Sequence, residues 1–254
     1  MKILAVGNSF SQDSTTYLHP IARAQGKDVT VVNLYIGGCP LERHWANIES
    51  GEQAYEYQLN GTFTGRMAGL EEVLQEEKWD VIVTHQASPD CGWMDSYEPF
   101  LGKLLQVFRR HAPDAVLALQ ETWAYEVDST HPNFARYNRD QAEMYDRLRF
   151  CYRTMARKYG LKLLPSGEVI QQLRSLPPFH VPTGGRKLTR DGYHMSLDYG
   201  RYTLGCVWLA KLCGCRAQDN TFAPDQGGET DEKLLQLIRR TVDEVLEREE
   251  KSHA

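Results

Sequence analysis

Two short stretches at opposite ends of this chain carry side chains that could act on one another. Late in the sequence, Thr189-Arg190-Asp191-Gly192-Tyr193-His194-Met195-Ser196 sets a carboxylate three residues before an imidazole. Asp and His at that spacing can fold together within one turn. The carboxylate then holds Nδ1–H and fixes the tautomer, leaving Nε2 free to take a proton. Gly192 between them lets the backbone bend. Near the start, Gly7-Asn8-Ser9-Phe10-Ser11 follows an apolar run and offers a hydroxyl. A serine is a weak nucleophile until a neighbouring base removes its proton. Ser9, His194 and Asp191 are therefore the candidate nucleophile, base and orienting acid.

Taken singly, each has a plainer reading. Ser9 suits a turn or a helix cap, where Ser11 and Ser14 compete with it. Asp191-Gly192 is a common turn signal, and a lone histidine is more often structural than catalytic. Only the conjunction favours chemistry. Acyl transfer also needs donors aimed at a developing oxyanion, each contributing roughly 3–4 kcal/mol. The Ser9 N–H, an N–H of the Gly37-Gly38 turn (Gly38 preferred) and the Gln86 side-chain amide are the candidates. Asn8, Gly37, His85 and Trp123 are weaker candidates for lining the substrate site.

These residues must be carried by elements that bring them together. Short apolar runs at Ile3 to Val6, Asp28 to Tyr35, Val81 to Val83, Ala115 to Leu119 and Leu161 to Leu164 read as strands. Helical spacing occupies Thr15 to Gln25, Arg66 to Glu77, Tyr97 to His111, Asn133 to Tyr159 and Val169 to Leu176, then about 198–212 and 229–250. Residues 36–64 read as irregular. Trp45, Tyr55 and Tyr57 within them suit a polar-aromatic binding wall, and 39–64 is a candidate lid. The alternation predicts one α/β domain over 1–254, a three-layer α/β/α sandwich on a five-stranded parallel sheet in flavodoxin-like order. The last helix packs on that domain or extends from it. Such folds bind ligands beyond the carboxyl ends of the strands, where Ser9, Gly38 and Gln86 fall.

At this point the pattern resembles the SGNH hydrolases, the GDSL-type esterase/lipase superfamily. Their four blocks are matched in order by Gly7-Asn8-Ser9, Gly37-Gly38, His85-Gln86 and Asp191-Gly192-Tyr193-His194. The likeness spans about residues 2 to 212. It looks closest to a poorly characterised bacterial branch whose first block reads Gly-Asn-Ser-Phe-Ser. Asn8 stands where the superfamily has aspartate. The third block lacks Gly-x-Asn-Asp, so Gln86 takes the donor role by position, with Ser88 as the alternative. The resemblance implies a serine esterase working through an acyl-enzyme, with O-deacetylation of a carbohydrate or similar small ester as the expected reaction.

Composition is compatible with this and excludes little else. The 254 residues hold 29 Lys and Arg against 34 Asp and Glu, a net charge of −5. The cations are dispersed, which gives no reason to expect a nucleic-acid partner. No apolar run approaches the ~20 residues that cross a bilayer. The opening residues lack a signal-peptide pattern, so a cytoplasmic location and no membrane partner are expected. The six cysteines form no CxxC pair and suit reduced thiols. The mechanism calls for no metal and no organic cofactor. Two other readings stay open: a flavodoxin-like nucleotide- or phosphate-binding module, and a catalytically inactive carbohydrate-binding relative. Neither GxGxxG nor GxxxxGK[ST] supports the first, which also leaves Asp191 and His194 without a role.

Overall fold

The computed structural model describes residues 1–253, with side chains through Lys251. Among these residues seven strands form one sheet. They are β1 (Lys2–Gly7), β2 (Thr30–Tyr35), β3 (Tyr55–Leu59), β4 (Thr62–Ala68), β5 (Val81–Thr84), β6 (Val116–Gln120) and β7 (Lys162–Leu164), in the order β4-β3-β2-β1-β5-β6-β7. Strands β2, β1, β5, β6 and β7 run parallel. Taken by themselves they are the five expected strands in flavodoxin-like order. The sheet is nevertheless mixed and not five-stranded, because β3 and β4 add an antiparallel hairpin beside β2.

Among the described residues nine α-helices surround it: α1 (Ser9–Thr15), α2 (Leu18–Ala24), α3 (Leu41–Ser50), α4 (Leu70–Glu76), α5 (Phe100–His111), α6 (Gln141–Tyr159), α7 (Ser166–Arg174), α8 (Tyr199–Cys213) and α9 (Glu232–His253). The chain steps one way from β1 to β2 and the other way through β5, β6 and β7. Right-handed crossovers therefore send the connecting helices to opposite faces. Helices α1, α2, α7 and α9 pack around α8, while α3, α4 and α5 pack together. Covered on both sides, β1 and β5 carry continuous apolar runs: Ile3 to Val6 and Val81 to Val83 are all buried. No helix of the described residues is long and apolar enough to cross a membrane. All six cysteines are free thiols.

Residues 36–64 are regular where the sequence reading made them irregular. After the Gly37-Gly38 turn they form α3, then the β3–β4 hairpin, joined through Asn60 and Gly61, both at positive φ. That left-handed pair is what a two-residue hairpin turn demands. The aromatic wall expected there does not form. Tyr55 is buried against His44, Trp45 lies beneath the Lys103 ammonium, and Arg66 covers Tyr57. The stretch read as one helix from Asn133 to Tyr159 is also divided. A 3-10 turn over Pro132–Tyr137 stops at Asn138 and Arg139, both left-handed, and Asp140 then caps α6.

The register places the candidate loops at one level. Gly7 pairs with Tyr35, and Val6 with Thr84, so the loops after β1, β2 and β5 leave the sheet side by side. Gly7 is required there by close approach. A Cβ would lie 2.4 Å from His85 Nε2 and 2.7 Å from Ser11 Oγ.

Glu121 follows β6 and is fully buried, 3.3 Å from Arg153 Nε. Burial pushes its carboxyl up to about 8, against the pull of the guanidinium. In the unfolded chain the same group ionises near 4.5. Between those values the folded state holds the extra proton, so stability falls as pH rises through the window. We expect Glu121→Gln to remove that contribution. In urea unfolding, the wild type should lose stability relative to the variant between pH 5 and pH 8; a difference independent of pH would contradict the assignment.

Candidate active site

Asn8 ends the β1 turn and caps α1, its side-chain oxygen accepting from the Phe10 N–H at 3.0 Å. Its amide nitrogen donates to the Cys39 carbonyl and ties the α1 start to the Gly37-Gly38 turn. Ser9, first in the helix, is partly exposed. Its Oγ lies 2.8 Å from His194 Nε2, across 185 positions of sequence. His194 Nδ1 lies 2.6 Å from Asp191 Oδ2. A carboxylate only accepts, so Nδ1 carries the proton and Nε2 is left to accept from Ser9.

Asp191 is held by the turn it belongs to. Its other oxygen accepts from the N–H groups of His194 at 2.8 Å and Tyr193 at 3.1 Å. Partial burial alone would raise its carboxyl, but the hydrogen bonds from the His194 ring and from these two amides outweigh burial and hold it below its ordinary range. Gly192 makes the turn possible with φ +92°, and a Cβ there would stand 3.0 Å from Ser129 Oγ.

Two clamps hold this turn against α1. In the first, Asp13, fully buried in α1, accepts from Arg190 Nη1 at 3.0 Å, Arg201 Nε at 2.8 Å and the Met195 N–H at 2.8 Å. Arg190 also donates to the Met195 carbonyl. In the second, Phe10 stacks on Trp123 with ring centroids 4.1 Å apart, and the indole N–H donates to the Tyr193 carbonyl at 2.7 Å. Each clamp joins a neighbour of Ser9 to a neighbour of His194. Sequence reading passed over Asp13; an acidic residue on an otherwise buried helix face was the available signal.

Ser9 and His194 open into a cavity of about 350 Å³ at the sheet's carboxyl edge. Asn8, Gly37 and Gly38 line it, together with Phe10, Gln12, Tyr35, Ser88, Pro89, His131, Arg190 and Tyr193. Among the described residues no protein acceptor takes the N–H of Ser9, Gly37 or Gly38. Gln86 does not reach the cavity. Its oxygen accepts from Leu41 and Ala87, and its amide nitrogen donates to the Ser96 carbonyl and hydroxyl. This buried side chain ties the start of α3 to two points of the β5–α5 connection and has no hydrogen to spare. His85 is likewise outside, fully buried beneath Gly7 with Nδ1 against the Gln86 carbonyl. Burial pushes its imidazole down to about 4. Trp123 is fully buried as a clamp and does not line this cavity. His131, which sequence reading does not single out, does line it.

A family model matches residues 2–241, and its description is a domain of unknown function, DUF4886. The chain belongs to the DUF4886 family. A crystal structure of another DUF4886 protein, from Bacteroides uniformis, is 34% identical with a TM-score of 0.89, over 97% of this chain and 94% of that one. Two more distant structures share the fold. One, from Slackia heliotrinireducens, carries a provisional assignment as an SGNH hydrolase, with 19% identity, a TM-score of 0.56 and coverage of 84% and 98%. The other is an acetylxylan esterase from Geobacillus stearothermophilus, with 15% identity, a TM-score of 0.55 and coverage of 83% and 93%. No curated protein matches. This DUF4886 chain thus has the α/β fold of the SGNH hydrolases, with a mixed sheet.

Removing the Asp13 carboxylate would leave two guanidinium groups facing an emptied pocket. Breaking one side of a buried ion pair costs ~3–5 kcal/mol. Asp13→Ala should therefore lower the unfolding free energy by about 3 kcal/mol or more in urea titration. A change below about 1 kcal/mol would show that the clamp does not hold the fold.

Proposed function

We propose that this protein is a serine hydrolase that cleaves carboxylic esters through an acyl-enzyme. The observation that carries the reading is the unbroken hydrogen-bonded chain from Ser9 Oγ through His194 to Asp191, opening into a cavity with free backbone donors. His194 Nε2 takes the Ser9 proton as Oγ attacks the ester carbonyl. Asp191 stabilises the imidazolium that forms. The imidazolium then returns its proton to the leaving alcohol. Water then attacks the acyl carbon as His194 takes its proton, and the imidazolium returns that proton to Ser9 Oγ as the Oγ–acyl bond breaks and the acid leaves.

The tetrahedral oxyanion rests on the N–H groups of Ser9 and Gly38. With Gln86 committed elsewhere, we assign the third donor to Ser88. Its hydroxyl lies in the cavity wall 2.9 Å from the Tyr125 hydroxyl. Burial pushes the Tyr125 phenol well up, so it keeps its proton. Tyr125 can then donate to Ser88 and leave the serine hydrogen free for the oxyanion.

A small polar cavity suits a short acyl group on a hydroxyl-rich alcohol. The fold shared with an acetylxylan esterase supports the same direction. O-deacetylation of a carbohydrate or similar small ester is the substrate reading we favour. The superfamily branch implied by Gly7-Asn8-Ser9-Phe10-Ser11 is part of this proposal.

Hydrolysis of a chromogenic acetate ester tests it. Ser9→Ala should reduce kcat/KM by on the order of 10³-fold or more, and equal rates would overturn the reading. Because only a neutral His194 can act as base, kcat/KM should fall as pH is lowered from about 8 to about 5. A flat profile would remove His194 from that role.

A further inference from the structure

The cavity beside Ser9 has a charge pattern that the chain as a whole does not. In a protein with 34 acidic and 29 basic residues, no Asp or Glu lines this cavity, and a guanidinium does. Arg190 shares Asp13 with Arg201. One buried carboxylate therefore answers two cations, and the pair keeps a net positive charge. Arg190 Nη1 is occupied by Asp13 and by the Met195 carbonyl. Among the described residues nothing accepts from its Nη2 or Nε, and its side chain is 32% exposed. The nearest anion of the site, Asp191, is turned away onto His194 Nδ1 and two backbone amides.

The rest of the wall also donates. His131 Nδ1 accepts the Asn133 N–H at 3.2 Å, so the neutral ring carries its hydrogen on Nε2. Its plane is held by Tyr125 and Tyr193, with centroids 4.6 and 4.7 Å away. Burial, and then His194 beside it, hold this imidazole below its ordinary range, which favours the neutral donor form. The Gln12 amide and the Tyr35 hydroxyl add further donors to this wall, beside the apolar Phe10 and Pro89.

We propose that the alcohol portion of the substrate carries a carboxylate close to the esterified hydroxyl, received by Arg190 with His131 as second donor. This deepens the hydrolase reading and rests on it. The shared chemistry is an O-acylated hydroxy-carboxylate, whether the carboxylate sits on a uronic acid sugar or on a small hydroxy acid. An acyl chain alone has no use for such a wall, because a guanidinium whose Nη2 and Nε hydrogens are still free gains from a carboxylate what it cannot gain from methylenes.

The test compares three acetate esters with the full-length protein: an O-acetylated methyl uronide, the matching neutral O-acetylated methyl glycoside, and an O-acetyl hydroxy acid. Wild type should show a kcat/KM on the order of tenfold higher for at least one anionic ester than for the neutral one, the lower end for one hydrogen bond to a charged group. The anionic ester that is preferred identifies the source. Added salt should narrow the ratio. Arg190→Met should bring it close to one, and Arg190→Lys should restore part of it. Because Arg190 also serves the Asp13 clamp, Gln12→Glu provides an independent arm. It adds a carboxylate to the same wall without touching the clamp, and should lower the ratio at least severalfold. Equal kcat/KM for neutral and anionic esters in wild type, or a ratio unmoved by both Arg190→Met and Gln12→Glu, would overturn the inference while leaving the hydrolase reading intact. Failure to hydrolyse any of the three, or a chromogenic acetate, would instead count against the hydrolase reading.

Discussion

The carboxylate of Asp13 has no solvent contact, and it receives two guanidinium groups and a backbone amide from residues about 180 positions downstream. Taking such a group out of water costs several kcal/mol unless its lone pairs are filled. Two of the three donors, Arg190 and Met195, come from the loop that bears Asp191 and His194, and the third, Arg201, from the start of α8. Satisfying Asp13 therefore fixes how the C-terminal turn sits on α1, and α1 begins at Ser9. The stacked pair Phe10 and Trp123 repeats the constraint on the opposite side of the same turn, through the Tyr193 carbonyl. A separation of 2.8 Å between Ser9 and His194 is the local outcome of these two buried attachments.

The division of labour follows from where each group lies. Buried members of the arrangement fix geometry: Asp13 is filled by Arg190, Arg201 and Met195, Trp123 donates to the Tyr193 carbonyl, and Gln86 is taken up by Leu41, Ala87 and Ser96. The cavity keeps what is left over, namely the serine and histidine, unclaimed N–H groups, and side chains that donate. Preorganised donors in a partly enclosed site are what acyl transfer needs, since they stabilise charge without reorganising. The parallel register supplies the platform by ending β1, β2 and β5 at one level.

Much of this was readable in the sequence, for definite reasons. Strands buried on both faces announce themselves as short apolar runs, which is why Ile3 to Val6 and Val81 to Val83 were located closely. Asp191 and His194 share one turn, so their partnership is local and their spacing suffices to suggest it. Ser9 could be paired with them only through the fold expected of the whole chain. What escaped reading depended on tertiary commitment. Gln86 has the right position and chemistry for an oxyanion donor, but Leu41, Ala87 and Ser96 claim it, and contacts with the start of α3 and across the β5–α5 connection cannot be read from spacing. Asp13 looked like an ordinary helix residue because its partners come from the far end of the chain. The hairpin at 55–68 is a different kind of miss. Asn60-Gly61 between alternating strands is a local turn signal, and the glycines and aromatics around it obscured the alternation.

The claim on which the functional reading turns is that the Ser9 hydroxyl is nucleophilic because His194 removes its proton. Reaction of the intact protein with a fluorophosphonate, followed by intact mass and peptide mapping, measures this directly, since the reagent bonds only to an activated hydroxyl. One phosphonyl group should appear, on the peptide containing Ser9, and the reaction should be lost in the His194→Ala variant. Labelling of a different serine, or ester hydrolysis that continues with Ser9 unmodified after exhaustive treatment, would contradict it.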